Sequence, residues 1–161
     1  MSNLLAAFEK ITRAAADLGT ELGDEPKPQS QTHPFDERNI HPAIGIVSLR
    51  LFDDGHYSQA TFEAFKCLDL RVKDLSGVND SGYKLMMNAL SETAPKIKLT
   101  PLSSQSEIDE QMGYKHVFAG AMSAIRNPRG HEINIDPIDR CLDHLSFASV
   151  LLRRLEDHIP L

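Results

Sequence analysis

Tyr114-Lys115-His116-Val117-Phe118-Ala119-Gly120-Ala121-Met122-Ser123-Ala124-Ile125-Arg126-Asn127-Pro128-Arg129-Gly130-His131 is the stretch on which the fold turns. Tyr114, Val117, Phe118, Ala121 and Ile125 recur at the spacing of one helix face. The run then enters Arg126-Asn127-Pro128-Arg129-Gly130-His131. Pro128 has no N–H to donate, and it disfavours helical dihedrals at Asn127. The expected helix therefore ends near Arg126, with His131 on a short irregular segment beyond it. A permanent cation, an amide and an imidazole gather at one helix terminus.

Helical signals continue on both sides. Ile44, Val47 and Leu51 share a face over 43–53, and Asp54-Gly55 marks a turn. Tyr57, Ala60, Ala64, Leu68, Val72 and Leu75 line a helix over 56–76, which Gly77 stops. Asn79 or Asp80 caps a shorter helix through Leu90. Pro95 to Ser103 is a loop in which Ile97 and Leu99 form a brief extended piece. Ser104 and Glu107 then match a capping box. The last helix has Asp136 as N-cap, Pro137 at its first position and an apolar stripe from Ile138 through Leu155. No alternating run supports a strand. The expected fold is all-α: a bundle of four or five helices (43–161) behind an N-terminal helical arm. That arm is an amphipathic helix at 1–18, and the Pro-, Gly- and Gln-containing stretch 19–42 is expected to be a linker or mobile loop.

Bulk composition narrows the function classes. The net charge of −6 over 161 residues argues against broad adhesion to nucleic acid. It leaves room for a local basic site, because Lys115, Arg126 and Arg129 lie between Tyr114 and His131 with no Asp or Glu among them. No apolar stretch is long enough to span a bilayer, and the charged N-terminus does not read as a secretory signal. A cytoplasmic protein without membrane attachment is expected. Cys67 and Cys141 both fall on apolar helix faces and read as buried free thiols.

Arg followed by His after four to six residues occurs at Arg50/His56, Arg126/His131 and Arg153/His158. About one such match arises by chance, so context must separate them. Arg153 and His158 lie at the end of the last helix and face different ways. Arg50 and His56 straddle the Asp53-Asp54-Gly55 turn and read as an exposed pair. Arg126 and His131 alone combine a helix end, a Pro, a Gly and an excess of positive charge. Arg presents a planar fork of donors to phosphate oxygens, and His takes and returns a proton near neutral pH. RNA carries its own nucleophile, the 2′-hydroxyl, so a metal-free cut needs only a base, an acid and stabilisation of the phosphorane. One chain offers a single good histidine here, and a symmetric dimer would supply a second. The bland alternative is an Arg complementing a helix C-terminus, followed by an ordinary Pro-x-Gly exit. Glu63 is a candidate ion-pair partner for Arg126. His131, Glu132 and Asp136 match no standard metal-ligand spacing, so no metal and no cofactor are expected.

The wider pattern resembles a known family. Ile40-His41-Pro42, Leu51-Phe52-Asp53-Asp54-Gly55-His56-Tyr57-Ser58-Gln59-Ala60, Glu63-Ala64, Phe118-Ala119-Gly120-Ala121, Ile125-Arg126-Asn127-Pro128 and Gly130-His131-Glu132 are similar to the Ymh-like group of phage and bacterial proteins. Arg-x4-His at a helix end resembles the HEPN superfamily of small helical domains. The resemblance spans roughly 40–157. It implies a dimerising bundle and, in many members, metal-independent endoribonuclease activity in toxin–antitoxin or phage-defence systems. Carried onto this chain, the catalytic residues are Arg126 and His131, with Asn127 as the polar companion. Arg129 and Lys115 are the expected substrate-binding cations. RNA is the expected substrate, a second copy the expected partner, and an antitoxin or other protein a further one. The alternative is a non-catalytic HEPN-like module that binds a partner protein or nucleotide. A metal-dependent hydrolase is a third reading, which chelation would silence.

Overall fold

The computed structural model describes residues 32–132 and 136–160, together with Lys10, Thr12 and Arg13. The chain divides into two units, Met1–Thr32 and His33–Leu161. In the first, Lys10, Thr12 and Arg13 are helical; the rest of the expected arm and residues 19–31 of the expected linker lie outside the described residues.

The second unit opens at His33 rather than at 43. Residues 33–42 belong to the packed domain because two His-Pro pairs start helices there. His33 caps α1 (Pro34–Glu37), its Nδ1 accepting from the Phe35 N–H at 3.1 Å. His41 caps α2 (Pro42–Asp53) in the same way, accepting from the Ala43 N–H at 3.1 Å. Each Pro sits at the first helical position, where a missing N–H costs nothing. The outer ring nitrogens meet carboxylates: His33 meets Asp53 at 3.0 Å and His41 meets Glu156 at 3.1 Å. Phe35 and Ile40 are thereby buried in the core. Pro34 and Pro42, which read as linker composition, are helix starts.

Around these follow α3 (Tyr57–Ser76), α4 (Gly82–Ala89), α5 (Gln105–Ala121), a π-helical segment (Met122–Arg126), α6 (Asn127–Arg129) and α7 (Ile138–Glu156). The expected all-α bundle stands: α2, α3, α4, α5 and α7 are its helices of eight residues or more among the described residues. No strand occurs there, only an isolated antiparallel pairing of Lys98 with Ile159 that closes the 95–103 loop onto the C-terminus. α3 is the central element, packed by α2, α4, α7 and the π segment. Ala60, Ala64, Phe65, Leu68 and Val72 on α3 are fully buried, as are Leu145, Ala148 and Leu155 on α7. Gly55 (φ +79°) makes the expected turn and Gly77 (φ +65°) the expected left-handed stop. The Ser104/Glu107 capping box is formed.

Four details differ from the sequence expectation. α2 turns Ile44, Ser48 and Phe52 inward, while Ile46 is 87% exposed. Val117 is exposed, and α5 instead buries Gln111, whose amide bridges the Leu99 N–H and the Leu90 and Ile97 carbonyls. Ser81, not Asn79 or Asp80, precedes α4; its first N–H, at Gly82, is taken by the Asp69 carboxylate of α3 at 2.6 Å. Pro137, not Asp136, is the N-cap of α7, because the Asp136 carboxylate is engaged elsewhere. Cys141 is a buried free thiol, pushed up to about 11 by burial; Cys67 is free and half-buried.

Candidate functional site

The helix does not stop at Arg126. Asn127 keeps right-handed helical dihedrals (φ −62°, ψ −46°), and the chain stays helical through Pro128 to Arg129. A proline ring clashes with the carbonyl four residues back in a regular α-helix. Here the preceding turn is widened to a π-helix, with the Asn127 N–H donating to the Met122 carbonyl five residues back. Such bulges are enriched at functional sites. Beyond Arg129 the Gly130 N–H donates to Asn127 O, and the His131 and Glu132 N–H groups to Pro128 O, at 2.9–3.1 Å. The backbone carrying His131 is thus fixed to α6.

Because Arg129 lies on this helical extension, its side chain turns inward. Its Nε donates to Asp136 Oδ2 at 2.5 Å, its Nη2 donates to Asp136 Oδ1, and its Nη1 donates to the Ile125 carbonyl at 2.6 Å. Side-chain exposure is 5% for Arg129 and 0% for Asp136. The Asp136 N–H donates to Ser58 Oγ of α3 at 3.0 Å, and His144 Nδ1 stands 3.8 Å from Asp136 Oδ2. Burial pushes the Asp136 carboxyl up, but the Arg129 hydrogen bonds and charge outweigh it and hold the group below the usual carboxylate range. Burial, with Arg129 nearby, pulls His144 down.

Lys115 is also neutralised. It is buried, and its ammonium bonds Glu92, whose carboxyl is lowered chiefly by that hydrogen bond. Arg126 is different. It is half-buried, its guanidinium lies 5.2 Å from the centre of the Phe62 ring, and its Nη1 donates to Asn127 Oδ1 at 3.3 Å. Its Nε is buried without a hydrogen-bond partner. Glu63 does not meet it: that carboxylate pairs with Lys66 at 3.1 Å and accepts from Gln59. Phe62 also packs under Gly130, where a Cβ would come within 3.2 Å of the ring. Arg126 and Gly130, four apart, share the face that rests on Phe62.

Next to this face is a hollow of about 380 Å³. It is lined by Leu51 of α2, His56 from the α2–α3 turn, Ser58 and Gln59 of α3, and Arg129 to Glu132. His131 and Arg129 therefore reach it, while Arg126, Asn127 and Lys115 are not part of the lining. Asn127 is exposed beside Arg126. The hollow also contains His56, which the sequence reads as half of an exposed pair with Arg50 rather than as a site residue. The expected partner Arg50 instead faces Asp54 at 3.7 Å on the surface. The signal for His56 was its position directly after a turn and before a long helix, which fixes its backbone but gives no hint of its neighbours. Arg153 and His158 are structural, bonding Asn39 O and Leu155 O. Among the described residues no group of three His, Cys, Asp or Glu side chains is placed to hold a metal ion, and no helix is long and apolar enough to cross a membrane.

A comparison with curated proteins finds no match, and neither does a comparison with solved structures. The family described as "Protein of unknown function (Hypoth_ymh)" matches residues 38–155, a span that includes α2 through nearly all of α7 and both sides of the hollow, and the chain belongs to that family.

Proposed function

We propose that this protein is a HEPN-type, metal-independent endoribonuclease of the cytoplasm, a toxin or phage-defence effector that works as a homodimer and answers to an antitoxin or other partner protein. One observation carries the reading. Of the three cations in the basic stretch, Lys115 and Arg129 are each matched by a carboxylate, and Arg126 makes no ion pair among the described residues. Among the described residues this permanent charge has no carboxylate partner, and it lies a few residues before an imidazole that borders a hollow.

In this reading a ribose-phosphate segment lies across the end of the π segment. Arg126, with Asn127 beside it, faces the phosphate and stabilises the charge that grows on it as the 2′-oxygen attacks. His131 moves a proton at the reacting oxygens. Arg129, held by Asp136, frames the hollow rather than lending it net charge. Lys66, near the same Phe62 ring at 6.0 Å, is matched by Glu63 and adds no net charge. Incubation of the full chain with mixed RNA in EDTA tests the proposal. Fragments ending in 2′,3′-cyclic phosphate and 5′-hydroxyl are expected, and intact RNA overturns it.

The non-catalytic alternative draws on a specific observation too. Arg126 rests on Phe62 rather than lining the hollow, and Glu132 puts a carboxylate on the rim. A module of that kind retains a partner protein on pull-down and cuts no RNA.

A further inference from the structure

Seven histidines are present, and their surroundings sort them. His33 and His41 cap helices and meet Asp53 and Glu156. His144 lies beside Asp136, and His158 is held at the Leu155 carbonyl. His116 is exposed on α5, away from the hollow. His56 and His131 are exposed, have no hydrogen-bond or ion-pair partner for their rings among the described residues, and line the same hollow. Neither ring is needed to cap a helix: α3 starts at His56 without a side-chain cap bond.

Both backbones are nonetheless fixed. The His56 N–H donates to Leu51 O at 2.7 Å, and its carbonyl accepts from Ala60 N at 2.9 Å. The His131 N–H donates to Pro128 O at 3.1 Å. The charged groups around them are accounted for. Asp53 is held by His33, Asp54 faces Arg50, and Arg129 is saturated by Asp136. Among the described residues, Glu132 is the remaining charged group of the lining. Two imidazoles thus line one cavity from separate, hydrogen-bonded stretches of backbone, with no structural partner for either ring among the described residues.

We infer that His56 is the second proton-transfer residue of the site, working with His131 of the same chain. This rests on the ribonuclease reading. One imidazole, neutral, takes the 2′-hydroxyl proton as the 2′-oxygen bonds to phosphorus. The other, protonated, gives its proton to the 5′-oxygen as the P–O5′ bond breaks. The products are a 2′,3′-cyclic phosphate and a 5′-hydroxyl, and no co-reactant is needed. A single chain then holds both groups, and the pair of histidines does not depend on a dimer.

The test is cleavage of mixed RNA in EDTA by the full chain across pH, for wild type, His56→Ala, His56→Gln and His131→Ala, with circular dichroism on each. Wild type is expected to give a bell-shaped profile. Both His56 variants are expected to keep the helical spectrum, to lose about 10²- to 10⁴-fold in rate and to lose one limb of the bell. An active wild type with His56 variants of equal rate and unchanged profile overturns the role of His56 and leaves the ribonuclease reading intact. A wild type that cuts nothing overturns both.

Discussion

Arg129 and Asp136 form a two-pronged ion pair inside the protein, with both side chains almost out of contact with water. The pair ties the end of the π-containing helix to the start of α7, and the Asp136 N–H extends the tie to Ser58 of α3. It is the frame on which the His131 turn sits. Removing one partner leaves an uncompensated buried charge, a loss of about 3–5 kcal/mol. Asp136→Ala is expected to lower unfolding stability in urea by that order. A double change to Arg129→Met and Asp136→Leu is expected to recover most of it. The acid dependence follows from the lowered Asp136 carboxyl. Its contribution is complete above the unfolded value of about 3.9 and is lost as pH falls through the lower folded value.

His144 gives a second, milder pH dependence. Its folded ring is harder to protonate than the unfolded one, chiefly because of burial. Between the folded value and about 6.5 the unfolded chain therefore binds more protons. Stability is expected to rise with pH up to about neutrality and to fall as pH drops below about 6.5 toward the lower folded value. His144→Gln should flatten that slope in urea titrations at several pH values; an unchanged slope would mean that other groups cause it.

Much of this architecture was legible before any coordinates. The stripes on α3 and α7, the Gly77 stop and the Ser104/Glu107 box are local signals, and local signals survive into the fold. The misreadings share a cause. Whether Pro128 ends a helix depends on whether the preceding turn can widen, and whether His33-Pro34 belongs to a linker depends on an Asp53 that is twenty residues away. The sequence marked Arg129 and Lys115 as cations, but their carboxylates, Asp136 and Glu92, come from other elements. His56 stood in the quoted motif, yet its proximity to the His131 turn is a tertiary fact.

The same contrast among the cations yields a mutational prediction. Arg126→Ala removes the guanidinium that makes no ion pair among the described residues and is expected to slow cleavage about 10²- to 10³-fold, the effect of losing one preorganised donor. Phe62→Ala removes the ring beneath it, a cation–π contact of about 0.5–1 kcal/mol, and should slow cleavage several-fold without shifting its pH profile. Replacing Lys115 with Met and Glu92 with Leu together should leave the rate unchanged, because that pair is satisfied away from the hollow. Single-turnover cleavage rates on one defined RNA compare the three.

The most direct measurement is RNA cleavage by the full chain in EDTA, wild type beside His131→Ala, with circular dichroism recorded for both. Cyclic-phosphate fragments from the wild type and none from a fully helical His131→Ala protein are the predicted result. Equal cutting by the two proteins, or none by the wild type, contradicts the account.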